Sequence, residues 1–142
     1  MSALNSLVRV HSWALEEKQQ KLAELERLAD KLRADLAALE TELAQEQTAA
    51  SRSVEGSIAF PAFVAAALER RKRLRESIVN VERACQTARE EVNQAFQEVK
   101  RFELARDNAL EKERQDLARR EQADLDELGV DLHRRAKAKA PD

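Results

Sequence analysis

The chain has 142 residues, of which 37% are charged and 4% aromatic, with two glycines and two prolines. That is the composition of long helices, and it leaves little apolar material for a globular core or an enclosed pocket. Its 25 basic and 27 acidic residues nearly cancel and are mixed along the sequence, which excludes a global field that would draw the protein onto nucleic acid or a membrane.

The N-terminus, MSALNSLVRVHSW, lacks the uninterrupted apolar block of a secretory signal. No apolar run in the sequence approaches the ~20 residues that a bilayer span needs, so a cytoplasmic protein with no direct membrane insertion is expected. From Leu4 the apolar positions advance in alternating steps of four and three: Val8, His11, Leu15, Lys18, Leu22, Leu25, Ala29, Leu32, Leu36, Leu39 and Leu43. This is the seam of one coiled-coil helix, and it predicts a helix over 3–50.

The stretch SRSVEGSIAFPAF, Ser51 to Phe63, interrupts the pattern. Gly56 can take the positive φ that closes a helix, and Pro61 suits the first turn of the next, where its missing N–H would be unpaired anyway. A turn over 51–60 and a second helix over 61–136 are therefore expected. The second seam runs through Phe60, Val64, Ala67, Arg71, Leu74, Ile78, Val81, Cys85, Ala88, Val92, Ala95, Val99 and Phe102. Folded about Gly56, paired positions sum to 110, so that Leu36 faces Leu74, Leu32 faces Ile78, Leu22 faces Ala88 and Val8 faces Phe102. A slip of one heptad, to a sum of 117, also aligns the seams. The fold class is all-α: one long antiparallel two-helix coiled-coil hairpin in a single domain, 1–142, with the second helix longer than the first.

Three seam positions are imperfect. Lys18, Arg71 and His11 would face Val92, Leu39 and Val99, and long basic side chains can reach out of so thin a seam. Such residues fix register at some cost in stability. The single cysteine, Cys85, excludes an intramolecular disulfide and reads as a small core residue.

After Phe102 the first helix runs out of residues to pair with, Leu4 already standing opposite Arg106. From Ala109 to about Ala136 the apolar residues thin to Leu110, Leu117, Leu125, Leu128 and Leu132 on a charged segment that would span roughly 40 Å as a helix. The chain closes on the basic RRAKAKAPD, with a frayed tail expected over 137–142.

No glycine-rich phosphate loop, no Ser/His/Asp set and no metal-ligand spacing is present, so neither an enzyme nor a cofactor or metal site is expected. The basic residues Arg70 to Arg73 with Arg75, and the tail's Arg134, Arg135, Lys137 and Lys139, could each meet an acidic partner, although a solvated face is the plainer reading. Trp13 falls on the outer face near the hairpin's open end, and Phe63 flanks the seam beside the tip. Large exposed aromatics serve as binding anchors. Phe96, also flanking the seam, is read as widening the core.

The opening SLVRVHSWALEEKQQKLAELERL, the Gly-bearing turn followed by FPAFVAAALE, and the longer C-terminal helix together resemble the FliJ family of flagellar type III export. The resemblance implies a cytoplasmic protein, peripheral at the flagellar basal body and similar to the central stalk of rotary ATP synthases. It implies a non-enzymatic monomer whose termini enter and stimulate the hexameric export ATPase, whose tip contacts the linker of the membrane export-gate protein, and whose other partners include export chaperones. Phe63 matches the family's aromatic after the turn. With Arg70 and Arg73 it forms the expected gate-binding set, while Trp13, Leu125, Leu128, Leu132, Arg134 and Arg135 form the expected ring-binding set. A prefoldin-like holdase or adaptor, or a structural spacer, would use the same architecture.

Overall fold

In a computed structural model, which describes residues 3–139, the chain forms two helices, α1 (Ala3–Ala50) and α2 (Val54–Lys139). α1 contains neither Gly nor Pro and is built largely from Ala, Leu, Glu, Lys, Gln and Arg, the strong helix formers. With 86 residues against 48, α2 is the longer, and the fold is the expected all-α two-helix hairpin. Its residues group into two units, His11–Gln97 and Met1–Val10 with Glu98–Asp142.

In the first unit α1 and α2 run antiparallel on either side of the turn. Every seam residue named from the sequence in this unit is buried or half-buried, and Ala29, Leu39, Ala67, Cys85 and Ala88 are the most deeply covered. The charged seam residues are carried as the thinness of the seam requires. Lys18 Nζ donates to Glu91 Oε2 at 3.2 Å and Arg71 Nη1 to Glu40 Oε1 at 3.3 Å, each pair reaching from one helix to the other. Both contacts lie within one residue of the register in which paired positions sum to 110. Under the slipped register Lys18 would stand level with residue 99, eight positions and roughly 12 Å of helix from Glu91; the pairs Arg33–Glu82, Arg75–Glu40 and Arg89–Glu26 sum to 115, nearer to the slipped value.

The tip departs from the sequence reading. The turn is confined to Ser51–Ser53, α2 already begins at Val54, and Gly56 is a helical residue without positive φ. Ser53 supplies the reason: its Oγ accepts from the Gly56 N–H at 2.9 Å, the contact made by an N-cap serine three residues ahead of its partner. At the other end, the Ser57 hydroxyl donates to the Ala50 carbonyl at 2.9 Å and the Ser51 hydroxyl to the Thr48 carbonyl at 2.7 Å, so the last carbonyls of α1 are met without a left-handed residue. Gly56 is needed for proximity. A Cβ there would lie 2.8 Å from Ser53 Oγ and 3.1 Å from Ala50 Cα. Pro61 sits within α2, beyond its first turn. It cannot donate to the Ser57 carbonyl, but both residues are exposed and water can take that bond.

In the second unit, Leu4 and Val8 of α1 and Phe102, Arg106 and Ala109 of α2 are half-buried, and Val99 is buried. From Leu110 to Lys139 every residue except Asp116 is exposed. Helix nevertheless continues to Lys139, past the expected start of the tail at residue 137, while residues 140–142 lie outside the described residues. Ion pairs within one helix turn lace this stretch: Arg114 with Glu111 at 2.6 Å and Arg119 with Asp116 at 3.4 Å. Such pairs each add a few tenths of a kcal/mol, about 0.2–0.5, to an isolated helix.

Candidate partner-binding surfaces

Part of the hairpin unit's charged surface is self-neutralised across the seam. The groove over Cys85 has Ala29 and Cys85 at its floor and Glu26, Asp30, Arg33, Glu82 and Arg89 around it. Its walls close on themselves, since Arg33 donates to Glu82 at 3.0 Å and Arg89 lies 3.6 Å from Glu26. The hydrogen bond to Glu82 is the chief reason that the Arg33 guanidinium is held above its ordinary pKa. Among the described residues, no group of three or more His, Cys, Asp or Glu could hold a metal ion.

Near the tip, the four arginines of residues 70–75 separate into two kinds, and Lys72 between them is exposed. Arg71 and Arg75 both turn to Glu40 across the seam, at 3.3 and 3.8 Å, and are spent on packing the hairpin. Arg70 and Arg73 are exposed and form no ion pair with the described residues, so the two arginines singled out for a partner are the ones that the fold leaves available. Phe63 is half-buried, and its ring stacks on Phe60 with centroids 6.4 Å apart. The sequence suggested no intrachain use for this ring. It has one, and a partner could reach only part of its surface. On the side of α2 away from this ring, Val54 and Ile58 are both largely exposed, a pair that the seam-centred reading passed over.

Trp13 is 58% exposed on α1, as its position off the seam predicts. Phe96 is 48% exposed and covers the edge of the seam without filling it. On α2, Leu125, Leu128 and Leu132 are 62%, 53% and 54% exposed and share one face of the helix at spacings of three and four. Arg134 and Arg135, one turn further on, are exposed and also form no ion pair with the described residues. The structure thus brings together Phe63, Arg70 and Arg73 on one stretch of α2 and the leucines with Arg134 and Arg135 on another; Trp13 belongs to the other unit from those leucines. What the spacing of leucines could not reveal is the set of acidic partners, Glu26, Glu40, Glu82 and Glu91, which engage Lys18, Lys21, Arg33, Arg71, Arg75 and Arg89 across the seam.

Taken together, these features define the two-helix coiled-coil hairpin class. The model of the FliJ family, described as Flagellar FliJ protein, matches residues 1–138, and the chain belongs to that family. The family is a component of flagellar type III export. Comparison with curated proteins and with solved structures returns no significant match. Among the described residues, no helix is long and apolar enough to cross a membrane.

Proposed function

We propose that this chain is the stalk of the flagellar type III export apparatus, inserting into and stimulating the hexameric export ATPase and linking it to the membrane export gate. The observation that carries the reading is the distal part of α2, where a helix keeps three leucines on one face more than half exposed. A lone helix of this length is marginal in water, and apolar side chains so placed are stabilised by a surface that closes around them. A ring threaded by the helix supplies such a surface. Trp13 adds an anchor on α1, and Phe63 with Arg70 and Arg73 offers the gate linker an aromatic edge beside free cations. Export chaperones join the complex at the basal body, on the cytoplasmic face of the membrane.

The test is stimulation of the purified export ATPase. Deleting Gly129 to Asp142 removes residues that are all exposed where described, so the hairpin stays folded and stimulation is expected to vanish. The triple replacement Leu125→Ser, Leu128→Ser and Leu132→Ser is expected to do nearly the same. Phe63→Ala is expected to weaken binding to the gate linker while costing about 1 kcal/mol of stability, since half of the ring is already covered. Stimulation that survives both the deletion and the triple serine variant would leave the stalk reading without support and favour a holdase or adaptor.

A further inference from the structure

The charge on the distal helix is sorted into two bands, and the sorting coincides with a change in how the charges are used. Between Glu111 and Asp116 two of the three acids are answered within the helix, Glu113 having no side-chain partner among the described residues: Arg114 donates to Glu111 and Arg119 to Asp116, and Gln115 adds a third bond at 3.2 Å to Glu111. From Glu121 to Asp131 the sequence EQADLDELGVD carries five acids and no basic residue. Of these acids only Asp126 is engaged, accepting from Gln122 at 2.9 Å. Glu121, Asp124, Glu127 and Asp131 have no side-chain partner among the described residues. Four basic residues follow, Arg134, Arg135, Lys137 and Lys139, likewise unpaired. The leucine face lies inside this pattern, with Leu125 and Leu128 in the acidic band and Leu132 at its junction with the basic one.

We infer that this face docks, acidic band first, into a protein groove that is apolar at its floor and lined with arginine or lysine at the level of Glu121–Asp131, with acidic side chains beyond it facing Arg134–Lys139. The inference rests on the stalk reading and specifies the lining of the ring. Like charges gathered along one helix face destabilise it, by amounts similar to what opposite pairs add, so an unanswered band is a standing cost that a cationic wall removes. The same band repels polyanions, which sets nucleic acid and anionic lipid aside for this segment. Two bands of opposite sign also fix depth and direction: sliding the helix by about 10 residues, or reversing it, would set like charges against each other.

The experiment uses the full chain and the purified hexameric export ATPase. One variant carries Glu121→Gln, Asp124→Asn, Asp126→Asn, Glu127→Gln and Asp131→Asn; a second carries Lys at all five positions, which keeps good helix formers throughout. Neutralisation is expected to weaken ring binding on the order of tenfold at low ionic strength, with the difference shrinking as salt rises to ~0.5 M, and the lysine variant is expected to bind more weakly still. Native-like or tighter binding by the lysine variant, or a loss that salt leaves unchanged, would overturn the inference. If those results came with a triple serine variant that still failed to bind, the stalk reading would stand without its acidic band. If the serine variant bound as well, both would fall.

Discussion

Lys18 of α1 and Glu91 of α2 meet at 3.2 Å over a seam position that any leucine zipper would fill with an apolar side chain. The lysine side chain is 44% exposed, so the pair is screened and contributes on the order of 0.2–1 kcal/mol. A leucine there would bury apolar area beside Val92 and leave Glu91, itself partly exposed, to water and to Lys21, 3.8 Å away. Lys18→Leu is therefore expected to raise the melting temperature. A lower melting temperature would show that the ion pair outweighs apolar burial at this layer.

The register that this contact favours over the slipped one can be checked covalently. In a Cys85→Ala background, cysteines at Leu22 and Ala88 are expected to crosslink within one chain, whereas the pair at Leu22 and Ala95 should not. Efficient crosslinking of the second pair would establish the slipped register.

Burial also ranks the seam leucines, which the sequence treats as equals. Leu39 is 3% exposed and Leu32 half-buried. Leu39→Ala is expected to cost about 3 kcal/mol and Leu32→Ala about 1–2 kcal/mol, because the cavity term applies in full only where neighbours close the site. Urea unfolding of the two variants decides the order; equal costs would mean that depth in this thin seam does not matter.

The two helices, the seam and the exposed leucines of α2 were legible because each follows from a period in the sequence. Positions three and four residues apart share a face whatever else the fold does. The tip was misread because its chemistry is reciprocal and non-periodic. Ser53 caps the start of α2 while Ser57 reaches back to the end of α1, and neither role shows until the two helix ends are brought together. The same holds for the cations at the tip. Arg71 and Arg75 differ from Arg70 and Arg73 through Glu40, thirty or more residues away in the chain, so the sequence alone presents them as one basic run.

Along the distal helix, acid should act on a defined pair. The hydrogen bond from Arg114 holds the Glu111 carboxyl below its usual range, with the charge of Arg114 and a bond from Gln115 acting in the same direction. A depressed carboxyl stabilises the folded helix above its ordinary value, and that contribution is lost as pH falls through the lowered one. Backbone carbon shifts of residues 107–120 in the full chain are expected to lose helical character on acidification below pH ~4, and Glu111→Gln should abolish that step. An identical acid response in both proteins would show that the pair adds nothing to the helix.

The two glycines of α2 separate packing from propensity. In an open helix Gly→Ala gains about 0.8–1 kcal/mol from backbone entropy alone. Gly129 has nothing within 4 Å of a built Cβ, so Gly129→Ala should realise that gain and raise helicity in far-ultraviolet circular dichroism. At Gly56 the same methyl would press on Ser53 Oγ and on the Ala50 backbone. The serine hydroxyl cannot swing aside without abandoning the Gly56 N–H that it caps, and Ala50 is buried in the closing turn of α1. Overpacking of this kind costs about 1–3 kcal/mol, more than the propensity gain. Gly56→Ala is thus expected to lower the urea midpoint of the hairpin while Gly129→Ala leaves it unchanged or higher. A stabilising Gly56→Ala would mean that the helix ends can separate by the few tenths of an ångström a methyl requires, and that the close approach at the tip is not what holds the turn.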